Sequence, residues 1–234
     1  MVGRPWTGTS ADTVRAVHPL LPILIDAAHG RFPEADGATE VFAPDADGTV
    51  AVVGFTGHAF VLASVDPAEI GARQQDDAGG GFGGVFAPTL LSWLAGSWGV
   101  VGSTDVVLAA RGRGGGSADV RELAIDDPAR AHSRVHRAEE HRAGVRVFGD
   151  DAGLAIVGTG LAGRTELSVE LFDPSRVAAG RGRALIAAGL THVDPDDWCF
   201  AQVAAGNARS LRSFLAVGFV PIGSEVLITA RGER

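Results

Sequence analysis

VELFDPSRVAAGRGRA, residues 169–184, combines a strand pattern, a proline-marked turn, a glycine-rich loop and the start of a helix. Gly180 and Gly182 allow the backbone to approach a ligand closely. The helix that opens near Arg183 would direct free N–H groups and the positive end of its dipole toward an anion. This stretch therefore predicts a strand–loop–helix unit that binds a phosphorylated ligand.

The composition indicates a folded, acidic protein. The 234 residues suffice for one large domain or two small ones, and the 46% hydrophobic content supplies a core. The net charge of −8 disfavours general nucleic-acid binding and attachment to acidic membranes, because both need a broad cationic surface. The first residues lack a basic segment followed by a long apolar run. We expect a soluble, cytoplasmic protein whose partners are neither nucleic acids nor membranes.

Cysteine, lysine and tyrosine usage limits the available chemistry. Cys199 is the only cysteine, so the chain forms no internal disulfide and no cysteine-based zinc cluster. Its strand-like setting, WCFAQV, predicts a buried thiol and not a nucleophile. The sequence contains no lysine and no tyrosine, which excludes lysine modification and a tyrosine acid.

The first hundred residues carry no functional signature of their own, and the stretch up to residue 142 predicts helices, a hairpin and a strand. Two β-rich runs flank Gly57 and predict an antiparallel hairpin over 49–65. The other elements predicted in this region are helices over 10–28, 68–74, 90–98 and 126–142 and a strand over 105–110.

Beyond Gly144, alternating apolar residues predict a strand-rich region with two helices. The first three strands form an antiparallel meander, and Asn207 and Gly218 are the expected N-cap and stop of the last helix. The predicted elements are strands over 145–148, 153–161 and 166–172, a helix from 182, a strand over 197–204, a helix from 207 to 218 and a strand pair over 219–222 and 225–229.

Two further motifs give weak signals. GTGLAG, residues 158–163, fits the dinucleotide-binding pattern, but the residues after it alternate like a strand. His132 and His136 share a helix face, whereas His141 diverges around the axis and the spacing fits neither common zinc motif. We therefore expect no dinucleotide fold at 158–163 and no bound metal.

The element order from Val145 to Thr229 resembles that of the GNAT superfamily of acyl-CoA-dependent N-acyltransferases. FDPSRVAAGRGRALI is similar to the pyrophosphate loop of that family, NARSLRSFLAVGF to its second signature and PIGSEVLI to its C-terminal strands. The resemblance implies an α/β (α+β) GNAT-like fold with a mixed, mostly antiparallel sheet over residues 104–234, with 105–110 as the first strand. Residues 1–103 are expected to form either a degenerate half of a tandem GNAT-like arrangement or an N-terminal α/β extension. As an extension, a helix-hairpin module would shape the acceptor pocket or a homodimer contact.

The same resemblance implies acetyl-CoA as co-substrate and an amine, on a small molecule or a protein, as acceptor. Backbone N–H groups of the loop would hold the pyrophosphate, arginines would meet the outer phosphates, and the strand and the second signature would flank the pantetheine arm. The implied binding residues are Leu171, Phe172, Ala178, Ala179, Gly180, Arg181, Gly182, Arg183, Ala184, Asn207 and Ser210, with Arg209 or Arg212 as further phosphate contacts.

Catalysis needs a base for the amine proton and an acid for the leaving thiolate. Glu166 and Glu170 should share a strand face with Ser168, because side chains alternate along a strand. The resemblance implies that one of these two glutamates is the base. Two positions depart from the family pattern: Val177 replaces Gln or Arg, and Phe214 replaces the tyrosine acid.

The sequence thus favours an N-acetyltransferase that moves an acetyl group to a primary amine by direct attack within a ternary complex. A non-catalytic acyl-CoA sensor or scaffold is the main alternative, because Phe214 cannot donate a proton. A nucleotide-binding oxidoreductase rests on GTGLAG alone.

Overall fold

The computed structural model describes residues 17–45, 48–76, 84–173 and 180–231. These residues form a mixed α/β fold with six helices and one sheet of eleven strands, as the sequence predicted for the fold class. No helix within these ranges is both long and apolar enough to span a membrane.

Short helices and strands alternate irregularly along the chain. The helices are α1 (Leu20–Ala28), α2 (Pro67–Asp76), α3 (Pro88–Ala95), α4 (Ser133–His141), α5 (Arg181–Leu190) and α6 (Ala208–Val217). The strands are β1 (Thr39–Phe42), β2 (Val50–Phe55), β3 (His58–Leu62), β4 (Gly99–Val101), β5 (Asp105–Arg111), β6 (Arg121–Glu122), β7 (Ala143–Asp150), β8 (Gly153–Thr159), β9 (Thr165–Leu171), β10 (Trp198–Ala204) and β11 (Val220–Ala230).

The sheet has the strand order β1-β3-β2-β11-β5-β10-β9-β8-β7-β6, and β4 pairs with the end of β11. The β1–β3 and β9–β10 pairs are parallel, whereas the other pairs are antiparallel. Strands from before and after residue 103 therefore belong to one continuous sheet, joined where β11 pairs with β2.

Helices cover both faces of the sheet because its strands are apolar on both sides. Along β2, Ala51 packs in the cluster beneath α1, and Val50 packs in the cluster beneath α2 and α3. Along β5, Val107 joins the α1 cluster, and Leu108 joins the cluster beneath α5 and α6. Helix α1 thus lies on the face opposite α2, α3, α5 and α6.

Several predicted elements are present. The hairpin at Gly57 is β2–β3, and the meander after Gly144 is β7–β8–β9. Asn207 caps α6, since its Oδ1 accepts a hydrogen bond from the Ser210 N–H at 3.1 Å. Gly218 ends α6 with a φ of 108°, which is in the left-handed region that favours glycine.

The GTGLAG motif, residues 158–163, leads through a short 3₁₀ turn into β9 and not into a helix, as expected.

The predicted C-terminal strand pair is wrong, because β11 is one long strand. Its first part pairs with β5, its second part pairs with β2, and its register against β5 shifts between Pro221 and Gly223. A Cβ at Gly223 would lie 2.6 Å from the Gly54 carbonyl oxygen, so this close approach requires glycine. The irregularity lets a single strand continue from one partner to the next.

The strand predicted over 105–110 is present as β5. It lies in the middle of the sheet between β10 and β11, a position that the sequence did not predict. Val107, Leu108 and Ala109 are all fully buried, which is typical of a central strand covered on both faces.

Three helices differ from the prediction, and one of them, α3, ends at Ala95 instead of Trp98. In the part of the predicted 10–28 helix that the structure describes, α1 begins at Leu20, and Pro22 lies in its first turn, where a missing N–H is tolerated. The 126–142 helix is interrupted, since His132 is extended (φ −68°, ψ 137°) between a 3₁₀ turn at Pro128–Ala131 and α4. The His132 side chain accepts a hydrogen bond from the Arg134 N–H at 3.1 Å and so begins a new helix.

Candidate functional site

The parallel strands β9 and β10 diverge shortly after they meet. Their pairing joins only Thr165 to Cys199 and Glu166 to Phe200. Beyond these residues β9 continues to Leu171 and β10 to Ala204 without pairing each other. The divergence opens the sheet between two of its central strands.

The backbone of β9 faces this opening at alternate residues. The Phe172 N–H donates to the Ala152 carbonyl oxygen at 3.0 Å, so at this position the backbone faces the neighbouring β8 side. Because alternate residues direct their N–H and C=O groups to opposite sides of a strand, Leu171 and Val169 direct theirs toward the opening. Of the two predicted pantetheine contacts, Leu171 therefore directs its backbone groups into the opening, where no described residue bonds them, whereas the N–H of Phe172 is already bonded.

An outer cleft of about 940 Å³ lies between β9, α5 and α6. Its wall includes the first turn of α5, which follows Gly180 in the left-handed conformation (φ 75°). The predicted site residues that line this cleft are Glu170, Leu171, Gly180, Gly182, Arg183, Asn207 and Ser210.

Other predicted binding residues lie elsewhere. The Arg181 Nη2 donates to Asp150 Oδ2 at 2.9 Å, and Arg181 does not line the cleft. Phe172 and Ala184 are exposed and outside the cleft wall. Ala178 and Ala179, together with Val177, lie outside the described residues.

Three arginines give the outer cleft a cationic wall. Arg183 comes from the first turn of α5, and Arg209 and Arg212 come from α6. Their guanidinium groups form no hydrogen bond or ion pair with any other residue that the structure describes. These cations are therefore available to anionic groups of a ligand.

An inner cavity of about 290 Å³ adjoins the cleft on the α4 side of the opening. Phe214, which is 4% exposed and packs edge-on against Phe219, lines both spaces. The inner wall carries mainly charged and polar side chains: Ser103, Asp105, Arg134, Arg137, His141, Arg142, Glu166, Ser168, Gln202, Asn207 and Ser210.

Glu166 lies on this inner wall but is held by two arginines. Its Oε2 accepts from Arg142 Nε and its Oε1 accepts from Arg164 Nε, each at 2.8 Å. Arg142 Nη1 also donates to Ser168 Oγ at 3.0 Å, which places Glu166 and Ser168 on one strand face as predicted. Burial opposes the ionisation of Glu166, but the charges of Arg164 and Arg142 outweigh it and lower the pKa of this carboxyl.

Glu170 has a more accessible carboxylate. Its side chain is 28% exposed and lines the outer cleft next to Arg134, whose Nε lies 3.1 Å from the Glu170 Oε2. Glu170 thus has one arginine partner, whereas Glu166 has two and is almost completely buried.

The charges around Glu166 extend into a buried network. Arg164 has no exposed surface and also forms a bidentate ion pair with Glu225, which is 1% exposed. Burial opposes the charge on Arg164, but Glu225 and Glu166 outweigh it and raise the pKa of the guanidinium. Burial raises the pKa of Glu225, although the charge of Arg164 acts in the opposite direction. The network joins the start of β9 to β11.

Cys199 is buried as predicted, whereas His132 and His136 do not share one helix, because His132 lies before α4. Cys199 has no exposed surface, and burial raises the pKa of its thiol, so a reactive thiolate is disfavoured. His132 is a helix cap, and the side chain of His136 is 61% exposed. Within the described ranges, no group of three or more His, Cys, Asp or Glu side chains could hold a metal ion.

The sequence interpretation missed several residues of this region, among them Asp105, Arg134, Arg137, Arg142, Arg164 and Glu225. The first four line the inner cavity, and the other two complete the buried network. Arg164 and Glu166 are two residues apart in the sequence, and this spacing places side chains on one face of a strand. The spacing could have indicated that Arg164 is a partner of Glu166. Glu225 is 61 residues from Arg164 and has no local signal.

Solved structures that are similar to parts of this chain include two acetyltransferases. One, described as an acetyltransferase of the GNAT family from Novosphingobium aromaticivorans, is 16% identical, with 58% of this chain and 69% of that chain covered and a TM-score of 0.39. The other, a GCN5-related N-acetyltransferase from Kribbella flavida, is 15% identical, with 62% of this chain and 65% of that chain covered and a TM-score of 0.32. No protein-family model and no curated protein matches the sequence.

Proposed function

We propose that the chain is a GNAT-like N-acyltransferase that moves an acetyl group from acetyl-CoA to a primary amine within a ternary complex. The observation that carries the proposal is the divergence of β9 and β10 after Glu166, which leaves an outer cleft and an inner cavity in contact at Phe214. One space suits a long anionic donor, and the other suits a small polar acceptor.

The outer cleft has the groups that coenzyme A requires. The N-terminus of α5 and its preceding left-handed Gly180 can receive the pyrophosphate on backbone N–H groups. Arg183, Arg209 and Arg212 can pair with the outer phosphates. The free backbone edge at Val169 and Leu171 can bond an extended pantetheine arm as an added strand would be bonded.

The reaction needs only the chain, its two substrates and water. The amine nitrogen bonds to the carbonyl carbon of the thioester, the carbon–sulfur bond breaks, and the products are an amide and coenzyme A. One proton leaves the nitrogen and one proton reaches the sulfur. When both substrates are held at the opening, the reaction becomes effectively intramolecular. This proximity is the main rate acceleration that the geometry supports.

Glu170 is the better candidate for the base. A base must accept a proton, and a carboxylate held by two arginines with a lowered pKa does so poorly. Glu166 instead positions Arg142 at the cavity wall. Glu170 lines the adjoining cleft and accepts the amine proton through water.

The chain offers no tyrosine acid, because the aromatic residue between the two spaces is Phe214. We propose that water protonates the departing thiolate. A non-catalytic acyl-CoA sensor remains the second candidate, and Phe214 is the observation that favours it.

The division into residues 1–103 and 104–234 is part of the proposal. With the exception of Ser103, the residues that line the two spaces come from the second region. The first region would extend the sheet through β2 and β3 and support β11 from behind the site.

Calorimetry and thiol release test the function together. We expect acetyl-CoA to bind and NADH not to bind, and we expect some primary amines to raise thiol release from acetyl-CoA above background. Tight NADH binding without coenzyme A binding would contradict the acyltransferase and the sensor. Acetyl-CoA binding without release for any amine in a broad panel would favour the sensor.

A further inference from the structure

The inner cavity carries two charges that have no ion-pair partner among the residues described by the structure. Glu166 is balanced by Arg142 and Arg164, and Glu170 is balanced by Arg134. Two charged side chains of the cavity wall remain, one cation and one anion: Arg137 on α4 and Asp105 on β5.

Arg137 makes no hydrogen bond or ion pair with the residues that the structure describes, although it lines the cavity. Asp105 has only a neutral side-chain partner, since its Oδ1 accepts from Ser103 Oγ at 2.7 Å. Asp105 lies opposite Ala204 of β10 and Glu225 of β11 in the sheet, beyond the point where β9 and β10 separate. A cation and an anion are thus available in the same space.

Arg142 adds a fixed donor to the cationic side of the cavity. Its side chain is 10% exposed, and its Nε and Nη1 are held by Glu166 and Ser168. The remaining nitrogen, Nη2, makes no bond to the described residues, although Arg142 belongs to the cavity wall. A guanidinium fixed in this way is preorganised to receive one oxygen of an anion.

We infer that the acceptor is a small amine that also carries a carboxylate, with the carboxylate on Arg137 and Arg142 and the amine on the Asp105 side. This inference rests on the proposed function and names its acceptor class. A cavity of about 290 Å³ is at the small end of ligand pockets, which suits a molecule the size of an amino acid. A phosphate dianion fits less well, because Asp105 and Glu166 share the cavity with the arginines.

Matched amine pairs that differ only in the carboxylate test this inference. The pairs are glycine and methylamine, phenylalanine and phenethylamine, and lysine and cadaverine, with acetyl-CoA as donor and thiol release as readout. We expect the carboxylate-bearing member of at least one pair to have a kcat/KM on the order of 10-fold to 100-fold higher, the usual effect of a charged hydrogen bond. Phosphoethanolamine and ethanolamine form a fourth pair that reports on phosphate recognition.

Arg137→Gln and Arg142→Lys provide the matched variants. Arg137 is exposed, so Arg137→Gln should fold, lower the preference for the carboxylate about tenfold and leave acetyl-CoA affinity unchanged. Arg142→Lys keeps the charge but loses the planar fork, and it should also reduce the preference. Arg121→Gln, which removes an exposed arginine outside both spaces, is the control and should leave the preference unchanged.

The possible failures are distinguishable. If acetyl-CoA does not bind, or if no amine raises thiol release, the proposed function fails. If amines without a carboxylate react equally well or better, and Arg137→Gln changes nothing, the acceptor inference fails while the acyltransferase stands. A preference for phosphoethanolamine over every carboxylate-bearing amine would replace the carboxylate with a phosphate and overturn the inference as stated.

Discussion

Arg164 and Glu225 meet through two hydrogen bonds, from Nη1 to Oε2 at 2.7 Å and from Nη2 to Oε1 at 2.8 Å, with neither side chain more than 1% exposed. Removing one partner leaves a buried charge with too little compensation. We expect Glu225→Ala to lower the free energy of unfolding by about 3 to 5 kcal/mol in urea denaturation. The Arg164→Met/Glu225→Leu double variant should recover part of this loss. A single variant within about 0.5 kcal/mol of the wild type would contradict the structure.

The stability contribution of Glu166 should depend on pH. Burial opposes its ionisation, but Arg164 and Arg142 hold its pKa below the ordinary value of 4.5. A carboxyl whose pKa is lower in the folded than in the unfolded protein stabilises the fold fully when the pH is above the pKa of the unfolded state. This stabilisation is lost as the pH falls through the pKa of the folded state. We therefore expect the difference in unfolding free energy between wild type and Glu166→Gln to be constant near neutral pH and to shrink below pH 4.5. A pH-independent difference would exclude this ionised pairing.

The cationic wall of the outer cleft should determine donor affinity. We expect Arg183→Gln and Arg209→Gln each to weaken acetyl-CoA binding about tenfold in calorimetry, because each removes a charged hydrogen bond to a phosphate. The affinity of each variant should also depend less on salt than that of the wild type. Arg121→Gln serves as the control. Unchanged affinity in both variants would mean that the phosphates bind elsewhere.

The two glutamates should differ in what they affect. We expect Glu170→Gln to lower kcat by about 10²-fold to 10⁴-fold with little change in acetyl-CoA affinity, as for a lost general base. Glu166→Gln should act mainly on stability and on acceptor KM, because Glu166 fixes Arg142. Glu139→Gln, at an exposed position outside the cleft and cavity, is the control. A larger loss of kcat in Glu166→Gln than in Glu170→Gln would reverse the assignment.

Cys199 should be unreactive in the folded protein. Its side chain has no exposed surface, and burial raises the pKa of the thiol. We expect a thiol reagent at neutral pH to label Cys199 only after denaturation, and Cys199→Ser to retain thiol release from acetyl-CoA. Rapid labelling of the native protein, or loss of release in a folded Cys199→Ser variant, would instead indicate a covalent cysteine step.

Much of the fold follows from short-range patterns that the sequence displays directly. Alternation of apolar residues predicted the meander β7–β8–β9 and the hairpin at Gly57, because a strand repeats every two residues. Asn207 and Gly218 marked the ends of α6, since caps depend on single residues with the right side chain or φ. The same logic identified Glu166 and Ser168 as neighbours on one strand face.

The tertiary structure decided what depends on distant parts of the chain. The sequence by itself predicted the strand before residues 174–179 and the helix after them, and it predicted an anion site there, which stays a prediction. It did not determine that β5 lies between β10 and β11, that Glu225 meets Arg164, or that Arg181 pairs with Asp150 while Arg183 faces the cleft. The residues in each of these relations are far apart in the sequence, so no repeating pattern of side chains predicts their contact. They meet because the assembled sheet buries apolar surface and pairs buried charges.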